Sequence, residues 1–152
     1  MQPTDLRAGK TGKRRNGLVC AAMLLAAMLV GLAAPARAAD EVTAGQAVIR
    51  SQEEAFSRDD AAAAYAFAAP AIKSWYPTPD AFMFMVRNGY APVYRHRSFR
   101  FGEAKVSDGR IEQQVHIIDA EGAAWEALYT LEPQSDGSLK ISACILTKAV
   151  TA

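Results

Sequence analysis

The sequence predicts an α+β domain, with helices packed on one face of a four-stranded antiparallel meander. Two observations carry this. Hydrophobic residues recur at helical spacing as far as Gly89, then alternate from about His96 onward. Three turn dipeptides, Asp108-Gly109, Glu121-Gly122 and Asp136-Gly137, cut the alternating part into four strands. Helices gathered ahead of an antiparallel sheet with one apolar face pack on that face.

Taken in order, Thr43 and Gln46 form a capping box. Val42, Gly45, Val48/Ile49, Gln52 and Phe56 follow as one largely apolar stripe that ends near Arg58. Ser57 and Asp60 form a second box before an Ala-rich helix that carries Tyr65 and Phe67 and stops before Pro70. Thr78 caps a third helix with Pro79 in its first turn, and Asn88-Gly89 reads as its left-handed C-cap. The run Ala81–Val86 between them is apolar on every side, so this helix is expected to be buried on more than one face. Of the strands, the first, His96–Val106, contributes Phe99 and Phe101. Alternation then directs Ile111, Val115 and Ile117 to the core, followed by Trp125, Ala127, Tyr129 and Leu131, and last by Leu139, Ile141, Ala143 and Ile145. Ile118, Leu128, Cys144 and Leu146 fall on the outer face.

The chain of 152 residues is 51% hydrophobic and 22% charged, which excludes a disordered or collagen-like polymer. Its net charge of +1 conceals an asymmetry. Residues 1–38 hold six basic residues against Asp5 alone, a net of +5, which leaves 11 of the 17 basic and 15 of the 16 acidic residues, a net of −4. Such a mildly acidic body offers nucleic acid no electrostatic footing. Lys13-Arg14-Arg15, the apolar run Leu18–Ala34 and Ala36-Arg37-Ala38 make a three-part secretory signal. We therefore expect residues 1–38 to be a signal peptide and 39–152 a single exported domain, periplasmic or secreted, with no membrane span after cleavage. Cleavage removes Cys20 and leaves Cys144 as the only thiol, with no intramolecular disulfide. In the apolar run Ile141–Leu146 that thiol is expected to be buried and inert.

Ser51-Gln52-Glu53-Glu54-Ala55-Phe56 with Asp59-Asp60, Ala68-Ala69-Pro70, Phe82–Arg87 with Gly89-Tyr90, and Pro92-Val93-Tyr94-Arg95 resemble a bacterial family catalogued as domain of unknown function 4864. Gln113-Gln114-Val115, Trp125 with Tyr129, and Asp136-Gly137-Ser138 extend the likeness over nearly all of the body. Leu139 departs from it where the family pattern has Trp. The order of elements is also similar to the nuclear-transport-factor-2-like (cystatin-like) cone, which implies a curved sheet wrapped around a long helix and a pocket. That resemblance brings no activity with it.

For a site, the segment Phe82–Arg100 stands out. In one reading Met83, Met85, Tyr90 and Tyr94 line an apolar cavity, with Arg95 or Arg97 at its mouth binding an anionic group. In the other they are core and a basic strand edge that resists pairing. Gln113 shares the core face of its strand, so its amide needs partners from a ligand, from water or from the chain. For acid–base chemistry the candidates are His96, His116, Asp59, Asp60 and Tyr90. His116 alternates onto the outer face, and Asp59-Asp60 has a local task as helix punctuation. No catalytic set, metal site or cofactor motif emerges. The expectation is therefore non-catalytic binding of a small, partly apolar ligand or of a protein partner. A cofactor-independent hydrolase or isomerase is the first alternative, and a homodimer or interaction protein acting through the outer sheet face the second.

Overall fold

The computed structural model describes residues 33–149. Among them five helices precede four strands: α1 (Ala33–Ser57), α2 (Ala61–Ala66), α3 (Pro70–Trp75), α4 (Pro79–Gly89), α5 (Ala91–Tyr94), β1 (His96–Ser107), β2 (Arg110–Asp119), β3 (Ala124–Pro133) and β4 (Leu139–Lys148). The strands pair antiparallel in the order β1-β2-β3-β4, an open meander, so the domain is α+β with its helices first.

The first helix begins well before the expected cap. Nothing in Ala36–Val42 interrupts a helix, and Arg37 and Glu41 pair at 3.0 Å one turn apart. Thr43 lies inside it, its hydroxyl donating to Ala39 O at 2.9 Å, so it caps nothing. The export signal assigned to residues 1–38 lies largely outside the described residues, and α1 passes through Ala38 unbroken. No described helix is long and apolar enough to cross a membrane. The apolar stripe is where the spacing puts it: Gly45, Ile49, Gln52, Ala55 and Phe56 are buried. A Cβ on Gly45 would lie 3.0 Å from Ile111 Cδ1, so the missing side chain is what lets α1 approach β2 so closely.

Asp59, at φ 58°, ends α1, and Asp60 caps α2 by accepting from Ala63 N at 2.9 Å. Ser57 takes no part in that cap; its hydroxyl donates back to Glu54 O at 2.7 Å. α2 stops before Pro70, as expected, and Pro70 then opens a further short helix, α3, since the first helical position needs no N–H donor. Thr78 caps α4 as expected, accepting from Ala81 N at 3.1 Å. Gly89 is not left-handed: Tyr90 N continues the ladder to Val86 O at 2.9 Å, and α5 follows at once with Pro92 in its first turn. Nor is α4 buried all round, because Phe82, Met83 and Val86 are buried while Phe84 is 71% exposed.

Asp108 and Gly109 both have positive φ, the two-residue turn that matches strand twist. Along β2 the alternation holds, with Ile111, Gln113, Val115, Ile117 and Asp119 buried. Along β4 it fails. Leu131 pairs with Ile141 but Thr130 with Ala143, so Ser142 is an extra residue, a bulge. Beyond it Cys144 sits opposite Tyr129 and Leu146 opposite Ala127, both facing inward, while Ile145 sits opposite Leu128 and is 59% exposed. The expected faces of Cys144, Leu146 and Ile145 are thus reversed, as a one-residue slip requires. Ala143, at the bulge, still borders the interior. Ile141 is fixed from both sides, its N–H donating to Phe67 O at 2.9 Å and its carbonyl accepting from Ala69 N at 2.8 Å.

Where β2 turns into β3, the Asp119 carboxylate accepts from Trp125 Nε1 at 2.7 Å, Ala123 N at 2.7 Å and Glu121 N at 3.1 Å. These bonds, the Trp125 one foremost, hold its pKa below the ordinary aspartate value. A carboxyl group with a depressed folded pKa contributes stability above its unfolded pKa and loses it as pH falls through the folded one. The melting temperature of Asp119→Asn, followed by circular dichroism, should therefore lie below wild type at pH 7, and the difference should shrink between about pH 5 and pH 2. Parallel curves over that range would remove the linkage.

Candidate functional site

The helices do not fill the space over the inner face of the sheet. A cavity of about 270 Å³ lies there, near the lower end of the range for ligand pockets. α1 contributes Gln52 and Phe56, α3 Ile72 with Tyr76 just beyond it, and α4 Phe82, Met85 and Val86. Tyr90 and Val93 come from the start of α5, Tyr129 from β3, and Ile141, Ala143 and Cys144 from β4. Phe56 stacks on Phe82 with ring centres 6.3 Å apart, and Tyr65 packs on Phe82 from behind at 5.7 Å. The Tyr65 hydroxyl donates to Tyr76 O at 2.7 Å, which fixes the chain where α3 ends.

Few polar groups reach this space, and none of the lining residues carries a charge at neutral pH. Gln52 donates from Nε2 to Ala64 O at 3.1 Å. The Tyr90 hydroxyl donates to Cys144 O at 3.0 Å, and the Tyr129 hydroxyl lies beside the Cys144 thiol. Burial pushes the Tyr90 phenol above its ordinary value, with Cys144 and Tyr76 adding to the effect. Burial raises Tyr129 much further. The Cys144 thiol is pushed up to about 12, again by burial, against a smaller opposite pull from the Tyr129 hydroxyl. Cys144 is thus a protonated interior thiol, inert as expected but on the opposite face of the sheet.

Of the residues singled out in the sequence, Met85 and Tyr90 border the cavity. Met83 is buried in the hydrophobic core instead. Tyr94 and Arg95 are occupied elsewhere: both bond to Asp59, Arg95 Nη2 at 2.8 Å, and Arg95 Nη1 also donates to Phe56 O at 2.7 Å. The anion on these two residues is the chain's own carboxylate, and Arg95 satisfies a carbonyl at the end of α1. Arg97 is exposed, at an irregularity of β1, and its guanidinium lies near Gly122. Gln113 lies away from the cavity, with Nε2 within bonding distance of Gly102 O (3.0 Å), Glu103 O (3.2 Å) and Gln114 O (2.8 Å), and Oε1 accepting from Gln46 Nε2 (2.9 Å). Its partners come from the chain, and its task is the bulge of β1 between Phe101 and Ala104.

The histidines stand apart from the cavity. His96 lies 2.8 Å from Glu53, and His116 lies on the outer face, 3.6 Å from Glu126. Leu128 and Ile145 sit together on that outer face in a shallow depression rimmed by Glu103, Glu112 and Glu126. Beside Tyr90, the cavity residues whose side chains carry a hydrogen-bonding group are Gln52, Tyr76, Tyr129 and Cys144, and these four escaped the sequence reading as site residues. The criterion that drew attention to Gln113, a polar side chain on an apolar face, applies equally to Gln52 on its helical stripe. Tyr76 followed a helix hidden behind Pro70, and Cys144 a bulge that alternation cannot see.

No curated protein matches the chain, and no solved structure does. The family described as Domain of unknown function (DUF4864) matches residues 38–152, which takes in every element of the sheet and all the cavity residues. The chain belongs to this DUF4864 family.

Proposed function

We propose that the protein binds a small, partly apolar molecule in the cavity between its helices and the inner face of the sheet, and releases it unchanged. The observation that carries this is the cavity itself: walls of aromatic and aliphatic side chains with a few convergent polar atoms are the usual make-up of a small-molecule site. The state of those polar groups favours binding over a hydrolase or isomerase. General acid–base work needs a group that titrates near the working pH, and Tyr90, Tyr129 and Cys144 are all displaced upward, away from neutrality. Helices followed by a bent meander, with a pocket between them, also suit the cone-like arrangement that the sequence resembles. The export signal read from residues 1–38 puts this binding in the periplasm or outside the cell.

Fluorescence titration with the uncharged dye phenylnaphthylamine tests the proposal. Saturable one-site binding is expected, weakened at least tenfold in Met85→Trp, whose indole fills the space. The absence of saturable binding, or binding undiminished in Met85→Trp, would overturn it.

A further inference from the structure

We infer that the cavity selects uncharged molecules that carry a hydrogen-bond donor. This rests on the binding role proposed above and specifies its ligand. The argument starts from Gln52, which is only 4% exposed yet borders the cavity. Its Nε2 donates to Ala64 O, and a carbonyl partner leaves no choice about which end of the amide is the nitrogen. The Oε1 atom has no partner among the described residues. Since no fully occluded side-chain polar atom among the described residues lacks one, Oε1 opens onto the cavity.

The neighbouring Tyr90 phenol has the same bias: it spends its hydroxyl hydrogen on Cys144 O and offers the cavity only oxygen lone pairs. Gln52 Oε1 and the Tyr90 oxygen are thus fixed acceptors, against the one remaining N–H of Gln52. The hydroxyls of Tyr76 and Tyr129 and the Cys144 thiol both donate and accept, and discriminate neither way. A carboxylate or phosphate brings only further acceptors and a charge with no counter-charge among the lining residues. An alcohol, a phenol or an N–H heterocycle brings what is missing, and the aromatic walls accept a flat ring.

Indole and benzothiophene separate the cases, because they share shape and differ in the N–H donor. In calorimetric titrations of the full chain both are expected to bind, benzoate is not, and the ratio of indole to benzothiophene affinity should fall about tenfold in Gln52→Leu. Benzothiophene binding retained by the variant shows that it is folded. In the wild type, the bound indole N–H proton should also shift downfield in the NMR spectrum, a readout that needs no variant. If neither heterocycle binds, the binding role itself falls. If both bind but the N–H proton does not shift, or the affinity ratio is unchanged in a folded Gln52→Leu, or benzoate binds as well as indole, the cavity stands and the donor rule is wrong.

Discussion

Gln113→Leu is expected to destabilise the protein by about 3 kcal/mol, from the usual penalty for stranding several buried polar groups. Gln113 is 0% exposed, and leucine matches its bulk, so packing changes little. What changes is hydrogen bonding. The carbonyls of Gly102, Glu103 and Gln114 surround Nε2, and two of them belong to the bulge of β1, where the regular ladder leaves carbonyls without strand partners. Gln46 loses its acceptor at the same time. Urea unfolding should show a lower midpoint with an unchanged slope. Gln46→Leu should cost less, about 1 kcal/mol, because Gln113 keeps its three carbonyls. A loss below about 1 kcal/mol in Gln113→Leu would mean that water reaches the bulge and replaces the amide.

Most of the scaffold was legible because it follows from local chemistry. Thr78 with Pro79, the buried face of α1, and the Asp108-Gly109 turn depend on a few adjacent residues, and the structure keeps them. The misplacements have other causes, one local and the rest set by partners far along the chain. Thr43 carries the signature of a cap but is overridden by a helix already running. Tyr94 and Arg95 are suited to an anion and find Asp59, some 35 residues earlier. For β4 the pattern was degenerate, since Ala143/Ile145 and Cys144/Leu146 are both apolar pairs, and either fits a core face. Pairing with β3 decides between them, and pairing is a property of the assembled sheet. The cavity is legible least of all, because alternation marks which side chains point inward and not whether they meet.

The inward position of Cys144 also predicts a large change in thiol chemistry on unfolding. In a Cys20→Ser background, Cys144 is the only thiol, and a pKa of about 12 against an ordinary 9.0 leaves its thiolate about a thousandfold scarcer than that of a free cysteine. Native protein should therefore react with a thiol-specific reagent about a thousandfold more slowly than unfolded protein. Deleting Ser142 takes away the extra residue and leaves every other pair in place, with Ile141 opposite Leu131, Ala143 opposite Thr130, Cys144 opposite Tyr129 and Ile145 opposite Leu128. Ile141, held by its bonds to Phe67 and Ala69, and Cys144 are then two residues apart, and alternation keeps both on the inner face. The folded deletion variant should therefore protect its thiol as the wild type does, and so should Ser142→Ala, which keeps the residue count. A folded deletion variant that labels at close to the free-thiol rate would mean that β4 had slipped by one residue against β3 instead of closing the bulge.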